Sequence, residues 1–448
     1  MAKQRVINKS TPGRMIILGF VAVILVGALL LTLPVSSADG KSASFLDSLF
    51  TATSATCVTG LVVRDTGTGW SVFGQTVILL MIQIGGLGFM TVAGFLRILL
   101  FKGIKFSDRE AVLQGLNIDY ISDIKHMLRF VAKVTFGCEG VAALLLFFRF
   151  VTQMSVGKAV YASVFHAVSA FCNAGFDVMG NFSSLTSYAD DLYVNIIIMA
   201  LITMGGLGYL VWMELLEHKK NKKISPYTKM VLITSAVLLV GGAFLFALFE
   251  WNNPATIGKM TVGDKILASF FQSVTFRTAG FNTVDLSAIT RLTVLMSSLL
   301  MFIGGSSGST AGGIKTGTFA IVMLTVRNIL RGRSEIVIFN RRINRNTIYR
   351  AFTIVVVGIL ILILSVVLLS YTEDAPLSCI LFECVSAFGT VGVTMGITTA
   401  LSSIGKILLI LLMFMGRLGI LTLSCSIASQ LKNEENLVEY LDAKMLVG

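Results

Sequence analysis

Long apolar segments alternate with much shorter ones along this chain, and the same order occurs four times. The long segments that open each unit cover residues 15–33, 127–151, 230–249 and 351–370. A helix needs about 20 apolar residues to cross a bilayer, so each segment predicts a membrane-spanning outer helix. A shorter apolar segment, a glycine and a further long apolar segment follow in each unit.

The shorter apolar segments do not have the length to cross a membrane. They cover residues 43–56, 159–172, 263–276 and 376–388. A helix of about a dozen residues, at about 1.5 Å per residue, falls well short of the ~30 Å hydrocarbon core, so we predict re-entrant half-helices. Irregular backbone at membrane depth persists only where it is buried in protein or lines water. Four such turns therefore predict one central aqueous pore.

The turn that follows each short segment carries a repeated seven-residue pattern. The copies at 55–61, 170–176, 275–281 and 387–393 read ATCVTGL, AFCNAGF, TFRTAGF and AFGTVGV. Their sixth position is always glycine, at Gly60, Gly175, Gly280 and Gly392. A second glycine-rich pattern lies in each later long segment, at 85–88, 205–208, 304–308 and 416–419. We expect those later glycines to permit close packing or bending of helices.

These repeats predict an all-α polytopic membrane protein. Each repeat contains an outer helix, a re-entrant pore helix, a filter loop and an inner helix, arranged around the central pore. The predicted boundaries of the four repeats are 1–100, 101–217, 218–330 and 331–430, followed by a cytoplasmic C-terminal tail over 431–448.

Composition and charge exclude a soluble globular fold. Of the 448 residues, 55% are hydrophobic and 13% are charged, whereas soluble domains carry about 25% charged residues. The net charge of +12 reflects Lys and Arg concentrated before the first outer segment and in the connections between repeats. The positive-inside rule then places both termini in the cytoplasm. This basic excess gives no reason to expect nucleic-acid binding.

The glycine turns have the chemistry of a cation selectivity filter. Rings of backbone carbonyls can replace the hydration shell of an ion, and glycine reaches the backbone angles that let successive carbonyls face one axis. The short helices would also direct the partial negative charge of their C-termini at the pore. The candidate filter residues are Val58, Thr59, Gly60, Asn173, Ala174, Gly175, Thr278, Ala279, Gly280, Thr390, Val391 and Gly392. The alternative is that these glycines serve only close helix packing.

With these four glycines, a glycine-rich interruption over 304–317 and Arg417 in the fourth repeat, the chain resembles the Trk/Ktr/HKT superfamily of potassium transporters. It is most similar to the bacterial KtrB-type membrane subunits. In that family, glycine at all four filter positions accompanies potassium preference, and serine at the first accompanies sodium. Gly60 therefore implies potassium as the transported ion, held at filter carbonyls only, whereas the residues alone indicate a monovalent cation. The expectation is no covalently bound cofactor, with sodium as a candidate stimulatory ion.

The third repeat carries the candidate gate. Residues 304–317 contain six glycines, and glycine loses more entropy than other residues on becoming helical, so an unwound loop is predicted. The resemblance implies that this loop lies within the membrane and gates the pore below the filter. The candidate gate residues are Gly304, Gly305, Ser306, Ser307, Gly308, Gly312, Gly313, Lys315, Gly317 and Arg417.

Two features of the gate region have competing interpretations. Lys315 and Arg417 are basic residues at membrane depth, where a charge is costly unless it faces water or a partner. We expect both to face the pore, with Arg417 as an electrostatic barrier to potassium; its alternative role is as a structural partner of Glu139 or of loop carbonyls. Residues 308–316 nearly match the phosphate-binding pattern GxxxxGK[ST]. Ile314 interrupts that pattern, which also requires a strand-to-helix turn of a soluble domain.

The predicted function is regulated potassium uptake across the bacterial plasma membrane through a channel-like pore, and a cation-coupled secondary transporter is the alternative. An enzyme is not predicted, because His126, His166 and His218 form no catalytic or metal-ligating pattern. The resemblance implies a homodimer on a cytoplasmic ring of KtrA-type subunits that bind ATP or ADP. The basic connections 219–223 and 327–350 suit either docking of such a ring or contact with anionic membrane lipid.

Overall fold

The computed structural model describes residues 12–88, 91–94, 112–113, 124–221, 224–333 and 335–419. Within these ranges the chain is mostly helical. The tail over 431–448, and most of the basic connection before the second outer helix, lie outside the described residues. Every candidate filter and gate residue lies inside them.

Four outer helices open the repeats: Pro12–Thr32, Ile124–Phe150, Pro226–Glu250 and Arg345–Thr372. All four are long and apolar enough to cross a membrane, as the sequence predicts. Local sequence explains where the third one starts. Pro226 occupies its first turn and the Ser225 hydroxyl accepts a hydrogen bond from the Thr228 amide, an arrangement that stabilises a helix N-terminus.

Four short helices follow: Phe45–Thr56, Val156–Phe171, Val262–Thr275 and Leu377–Gly389. They have 12 to 16 residues, which corresponds to lengths of only about 18 to 24 Å. Their C-terminal halves are buried and end at the repeated glycine turns. The re-entrant segments predicted from length alone are present at all four places.

The inner helices stop where the second glycine-rich pattern begins or ends. They are Val72–Leu87, Leu192–Leu207, Arg291–Phe302 and Ser403–Leu418. The glycine that ends three of them has a positive φ: 83° at Gly88, 89° at Gly208 and 81° at Gly419. After Gly208 a further helix, Tyr209–Asn221, sets off at an angle of 96° to the first. The second inner helix is therefore sharply bent at its glycine, where helix cannot continue.

The remaining elements are short. In the third repeat, helix resumes at Thr316–Leu330 after a break. A four-residue helix, Thr66–Gly69, follows the first glycine turn. Two-residue strands, Val337–Ile338 and Arg341–Arg342, pair antiparallel in the connection before the fourth repeat. Single 3₁₀ turns occur at Pro34–Ser36, Thr186–Tyr188, Leu286–Ala288 and Thr398–Ala400.

The four repeats pack as a closed ring in chain order. Each outer helix contacts the short helix of its own repeat, and each inner helix also contacts the short helix of the next repeat. The inner helix of the fourth repeat contacts the short helix of the first, which closes the ring. The short helices thus converge at the centre and the outer helices surround them. The predicted fold class is confirmed.

Candidate functional site: a ring of four glycine loops

Four loops of the same backbone shape meet at the centre of the ring. In each loop the glycine has a positive φ, and so does the residue two positions before it. The values are 58°, 60°, 66° and 50° at Val58, Asn173, Thr278 and Thr390, and 96°, 68°, 88° and 90° at Gly60, Gly175, Gly280 and Gly392. Left-handed backbone is strained at a residue with a side chain and persists only where the surroundings enforce it. Its recurrence at one position in all four loops indicates a shared constraint.

Each filter glycine lies against a carbonyl oxygen of a neighbouring loop. These oxygens belong to the residue just before the glycine: Ala174 O faces Gly60, Ala279 O faces Gly175, Val391 O faces Gly280 and Thr59 O faces Gly392. A β-carbon at any of the four glycines would come closer than 3.0 Å to that oxygen. The loops therefore interlock as a ring of backbone carbonyls, and glycine is the residue that leaves room for it.

An acidic vestibule opens on the side of this ring that faces away from the candidate gate loop. Its volume is about 580 Å³, the four glycines form its floor, and Asp65, Asp177 and Asp285 are in its wall. Burial raises the pKa of Asp177 to about 6; a hydrogen bond from the Met179 amide opposes the increase, and the nearby Asp65 adds to it. Carboxylates around a confined space raise the local concentration of cations. The sequence analysis did not identify these residues, although each lies two to five positions after a filter glycine.

Glycines of the inner helices pack against the ends of the short helices on the other side of the ring. A β-carbon at Gly85, Gly205 or Gly416 would collide with the carbonyl oxygen of Thr56, Phe171 or Phe388, respectively. Each of these oxygens is at or next to the end of a short helix. The expected close-packing role therefore fits the first glycine of this second pattern in three repeats.

The candidate gate is a non-helical loop whose two ends are joined. The Gly304 amide donates to the Ile314 carbonyl at 2.8 Å, and the Thr316 amide donates to the Gly305 carbonyl at 2.9 Å. The Thr316 hydroxyl also donates to the Gly304 carbonyl at 2.9 Å. The predicted unwinding of the third inner helix is thus observed, and the intervening residues form a closed excursion from the helix.

This excursion docks on the bend of the second inner helix. The Ser306 amide donates to the Gly206 carbonyl at 3.0 Å, and the Tyr209 amide donates to the Gly308 carbonyl at 2.8 Å. Ser307 and Gly308 also lie close to Gly208. The bend at 208 therefore provides free backbone groups that the loop satisfies.

Two contacts join the loop directly to the inner side of the glycine ring. The Thr310 hydroxyl lies 3.2 Å from Asn173 Oδ1 and 3.2 Å from the carbonyl oxygen of Phe171. Gly312 lies against the hydroxyl of Thr390, where a β-carbon would not fit. Asn173 and Thr390 occupy the same place in their loops, two residues before the glycine, so the gate loop touches the innermost layer of the filter.

Arg417 connects the gate loop to the first repeat. Its guanidinium donates to the carbonyls of Thr310, Gly85 and Gly86. The sequence left two structural partners open for Arg417, and the structure pairs it with carbonyls and not with Glu139. Glu139 instead accepts a hydrogen bond from Gln83 at 3.3 Å.

The other basic gate residue folds back on its own loop. The Lys315 ammonium donates to the Ala311 carbonyl at 2.7 Å. Gly317 lies inside the helix Thr316–Leu330 and close to Tyr227 and Met230 of the third outer helix. Gly317 therefore belongs to the helix that follows the loop and not to the loop itself.

A further basic residue, Arg277, was not singled out from the sequence. It lies in the third glycine loop, where its guanidinium donates to the Ser235 hydroxyl at 3.3 Å and the Thr316 hydroxyl at 3.4 Å. It therefore contacts the base of the gate loop, whereas Arg417 contacts its tip. The available signal was the seven-residue alignment, in which the third copy alone has a charged residue.

Comparison with known proteins gives a family match over nearly the whole chain. The family model described as "Cation transport protein", TrkH, matches residues 7–439. The chain is 41% identical over 450 residues to the Ktr system potassium uptake protein B of Bacillus subtilis, with 100% of both chains covered. It is 38% identical over 450 residues to the potassium/sodium uptake protein NtpJ of Enterococcus hirae, covering 100% of this chain and 99% of that one.

The fold is also found in a solved structure. The crystal structure of the potassium transporter TrkH from Vibrio parahaemolyticus matches with a TM-score of 0.70 at 16% sequence identity, covering 95% of this chain and 86% of that one. At this identity the match concerns the fold alone. The family resemblance that the glycine motifs indicated is confirmed.

Proposed function

The chain belongs to the TrkH family of cation transport proteins, and we propose that it mediates potassium uptake across the bacterial plasma membrane through a gated, channel-like pore. Two of its relatives are named as uptake proteins for potassium or for potassium and sodium. The proposed path runs from the acidic vestibule through the ring of four glycine loops, past the gate loop, to the cytoplasm. No enzymatic step is part of this proposal.

The interlocking carbonyl ring is the observation that carries the proposal. Thr59, Ala174, Ala279 and Val391 each direct a carbonyl oxygen at the glycine of a neighbouring loop. Backbone carbonyls so arranged can substitute for water around a dehydrated cation. The C-termini of four short helices add partial negative charge at the same place. Both features favour a cation. The ring, which lies within the described residues, offers no set of side-chain ligands of the kind that holds a metal tightly, so the ion can leave as readily as it enters.

The proposed gate is the loop over 304–315 together with Arg417. The loop contacts filter residues of the second and fourth repeats, and Arg417 joins its tip to the first. The loop and Arg417 together therefore contact all four repeats at the inner end of the proposed pore. A fixed positive charge there opposes the passage of potassium. Displacement of the loop would break the Thr310 contact of Arg417 and open the path.

The proposed assembly is a homodimer that rests on a cytoplasmic KtrA-type ring binding ATP or ADP, with both termini in the cytoplasm. Two relatives are named as parts of a "Ktr system", which supports a second component. The paired strands Val337–Ile338 and Arg341–Arg342 place exposed Arg341 and Arg342 in the connection to the fourth repeat. This basic surface is a candidate docking place for the ring, with anionic lipid as the competing contact.

The filter is tested at Gly280, the glycine of the third loop, where a β-carbon does not fit without displacing its neighbours. In Gly280→Ser, the new side chain meets the Gly175 Cα and the Val391 carbonyl oxygen, each at 2.8 Å from the β-carbon, and φ is 88°. A strained backbone costs about 1–3 kcal/mol, so the carbonyl ring must distort. We expect potassium flux into liposomes containing the purified protein to persist while the preference for potassium over sodium falls by about tenfold.

Gly241→Ser is the matched control, because nothing lies within 4 Å of a β-carbon at Gly241 in the third outer helix. That variant should keep the native selectivity. Unchanged selectivity in Gly280→Ser would indicate that the glycines serve packing alone. Absence of potassium flux through the native protein would contradict the proposed function itself.

A further inference from the structure

Each filter loop is held from behind by one hydroxyl-bearing residue of its short helix. The residues are Ser54, Ser169, Thr275 and Ser386, and all four have 0% relative exposure. Their backbone carbonyls accept a hydrogen bond from the residue just before the filter glycine, at 2.8, 2.7, 3.0 and 2.8 Å, respectively. We call them the tether residues. None was identified as a site residue from the sequence.

The side chains of the tether residues reach further, to the far side of the same loop. Ser169 donates to the Phe176 carbonyl at 2.7 Å, Ser386 donates to the Val393 carbonyl at 2.6 Å, and Thr275 donates to the Phe281 carbonyl. Each of those carbonyls belongs to the residue just after the filter glycine. In the first repeat, the Ser54 hydroxyl instead accepts from the Gly60 amide at 3.1 Å. In the second, third and fourth repeats one residue therefore holds its loop on both sides of the glycine, and in the first repeat Ser54 holds the glycine itself and the residue before it.

Other hydroxyls in the same helices behave differently, which shows that this pattern is not a general property of the helices. Thr51, Ser163 and Ser269 each donate to the carbonyl four residues earlier in their own helix, at 2.9, 2.7 and 2.7 Å. That is the ordinary bond of a buried hydroxyl in a helix. The tether residues forgo it and bond forward to the filter backbone.

The third repeat departs from the spacing but keeps the contact. The tether residue lies six positions before the glycine in three repeats and five positions before it in the third, where it is Thr275. Its carbonyl and its hydroxyl nevertheless hold the equivalent groups, Ala279 N and Phe281 O. A contact kept despite a shift in register points to a requirement of the loop itself.

We propose that the tether residues determine ion selectivity by fixing the diameter of the carbonyl ring, a proposal that rests on the function proposed above. A carbonyl ring distinguishes potassium from sodium only if its oxygens are prevented from closing around the smaller ion or if their number is fixed. The residues that flank the glycine are the ones whose movement would let the ring contract. The hydroxyls oppose that movement in all four loops, through the carbonyl after the glycine in three of them and through the glycine amide in the first, without touching the ion.

Ser386 makes the most contacts and is the best position for a test. Its hydroxyl donates to Val393 O and also accepts from the Gly392 amide at 3.1 Å. In Ser386→Ala both hydrogen bonds are lost. We expect the ratio of potassium to sodium flux in liposomes to fall about threefold to tenfold, the factor that corresponds to one or two hydrogen bonds. Ser386→Thr keeps the hydroxyl and should retain most of the native ratio, because the tether residue of the third repeat, Thr275, is itself a threonine.

Ser163→Ala is the matched control, since Ser163 is a buried serine that bonds only within its own short helix. It loses one buried hydrogen bond within its helix and should leave the flux ratio unchanged. The proposal is overturned if Ser386→Ala folds and keeps its ratio within about twofold, or if Ser163→Ala reduces the ratio equally. If Ser386→Ala does not fold, Ser169→Ala is judged by the same two criteria. Native protein that shows no potassium preference would refute the proposed function instead.

Discussion

At the scale of a single residue, Asp177 is the vestibule side chain through which pH would change the supply of ions to the proposed filter. It lies two residues beyond Gly175, in the wall of the vestibule with Asp65 and Asp285. Asp65 is committed to structure, since it accepts hydrogen bonds from the Thr68 and Phe182 amides. Burial raises the pKa of Asp177 to about 6. The carboxylate is therefore ionised at neutral pH and becomes protonated in mildly acidic surroundings.

This pKa predicts a decline in uptake as the external pH falls. Above about pH 6 the ionised Asp177 attracts cations to the vestibule, and below it that charge is lost. We expect uptake at limiting potassium to fall about twofold to fivefold between pH 7 and pH 5, measured as flux into liposomes with the internal pH held constant. Asp177→Asn should give the low flux at both pH values.

Asp190→Asn is the control for this pH dependence. Asp190 is exposed and lies before the second inner helix, apart from the residues that line the vestibule. Its variant should keep the native pH profile. If Asp177→Asn also keeps that profile, another group is responsible.

The candidate gate loop shows how one element takes its position from the elements that surround it. Its own bonds join its ends, so its shape does not depend on the filter. Its position does, because Thr310 bonds to Asn173 and Arg417 bonds to Thr310. The loop is accordingly closed on itself, and hydrogen bonds to the bend of the second inner helix, to Asn173 and to Arg417 hold it against the ring.

Removal of residues 307–310 should leave the pore open. The deletion retains the bonds between Gly304 and Ile314 and between Gly305 and Thr316, but it removes Thr310 and its contacts with the filter and Arg417. We expect potassium flux to rise by about fivefold or more, because an obstacle and the anchor of a positive charge are both displaced. The measurement is flux per molecule of protein in liposomes.

Ser309→Ala serves as the comparison for this deletion. The Ser309 hydroxyl bonds to the Ser306 carbonyl within the loop at 2.6 Å, with no bond to the filter. Its flux should stay within about twofold of the native value. If the deletion variant folds and its potassium flux is native or lower, the loop does not gate the pore.

The ring of repeats as a whole favours a pore over a carrier. Each inner helix contacts the short helix of the next repeat, and the fourth returns to the first. Such a closed ring resists the movement of one half against the other that alternating access requires. Glu139, a buried carboxylate of the second outer helix, contacts Gln83 and Cys172, and Cys172 is the residue just before Asn173.

The reversal potential distinguishes these two mechanisms. For a potassium pore it should move by about 60 mV for each tenfold change in the potassium gradient. A proton or sodium gradient imposed at constant potassium should leave it unchanged. A shift with either of those gradients would favour the cation-coupled transporter. The measurement uses the native protein in a planar bilayer or in liposomes with a voltage-sensitive dye.

The sequence by itself determined the local structure of each repeat. Segment lengths identified the outer and short helices, because a helix has a fixed rise per residue and a bilayer a fixed thickness. The glycines at 60, 175, 280 and 392 identified the turns, since glycine adopts positive φ without strain. The glycine-rich stretch after residue 303 likewise indicated where the third inner helix unwinds. These properties depend on residues that are close together in the chain, so a short stretch of sequence is enough to predict them.

Only the tertiary structure decided which groups meet. Arg417 could have paired with Glu139 or with carbonyls, and the closure of the ring, in which the fourth inner helix contacts the first short helix, brings it to the carbonyls of Gly85 and Gly86. The vestibule and the side-chain contacts of the tether residues were likewise not evident from the motifs. The contacts of Arg417 and of the tether residues end on backbone groups, whose chemistry is the same at every residue, so no residue type marks them in advance. Their identity depends on how segments distant in the sequence are brought together when the whole ring forms.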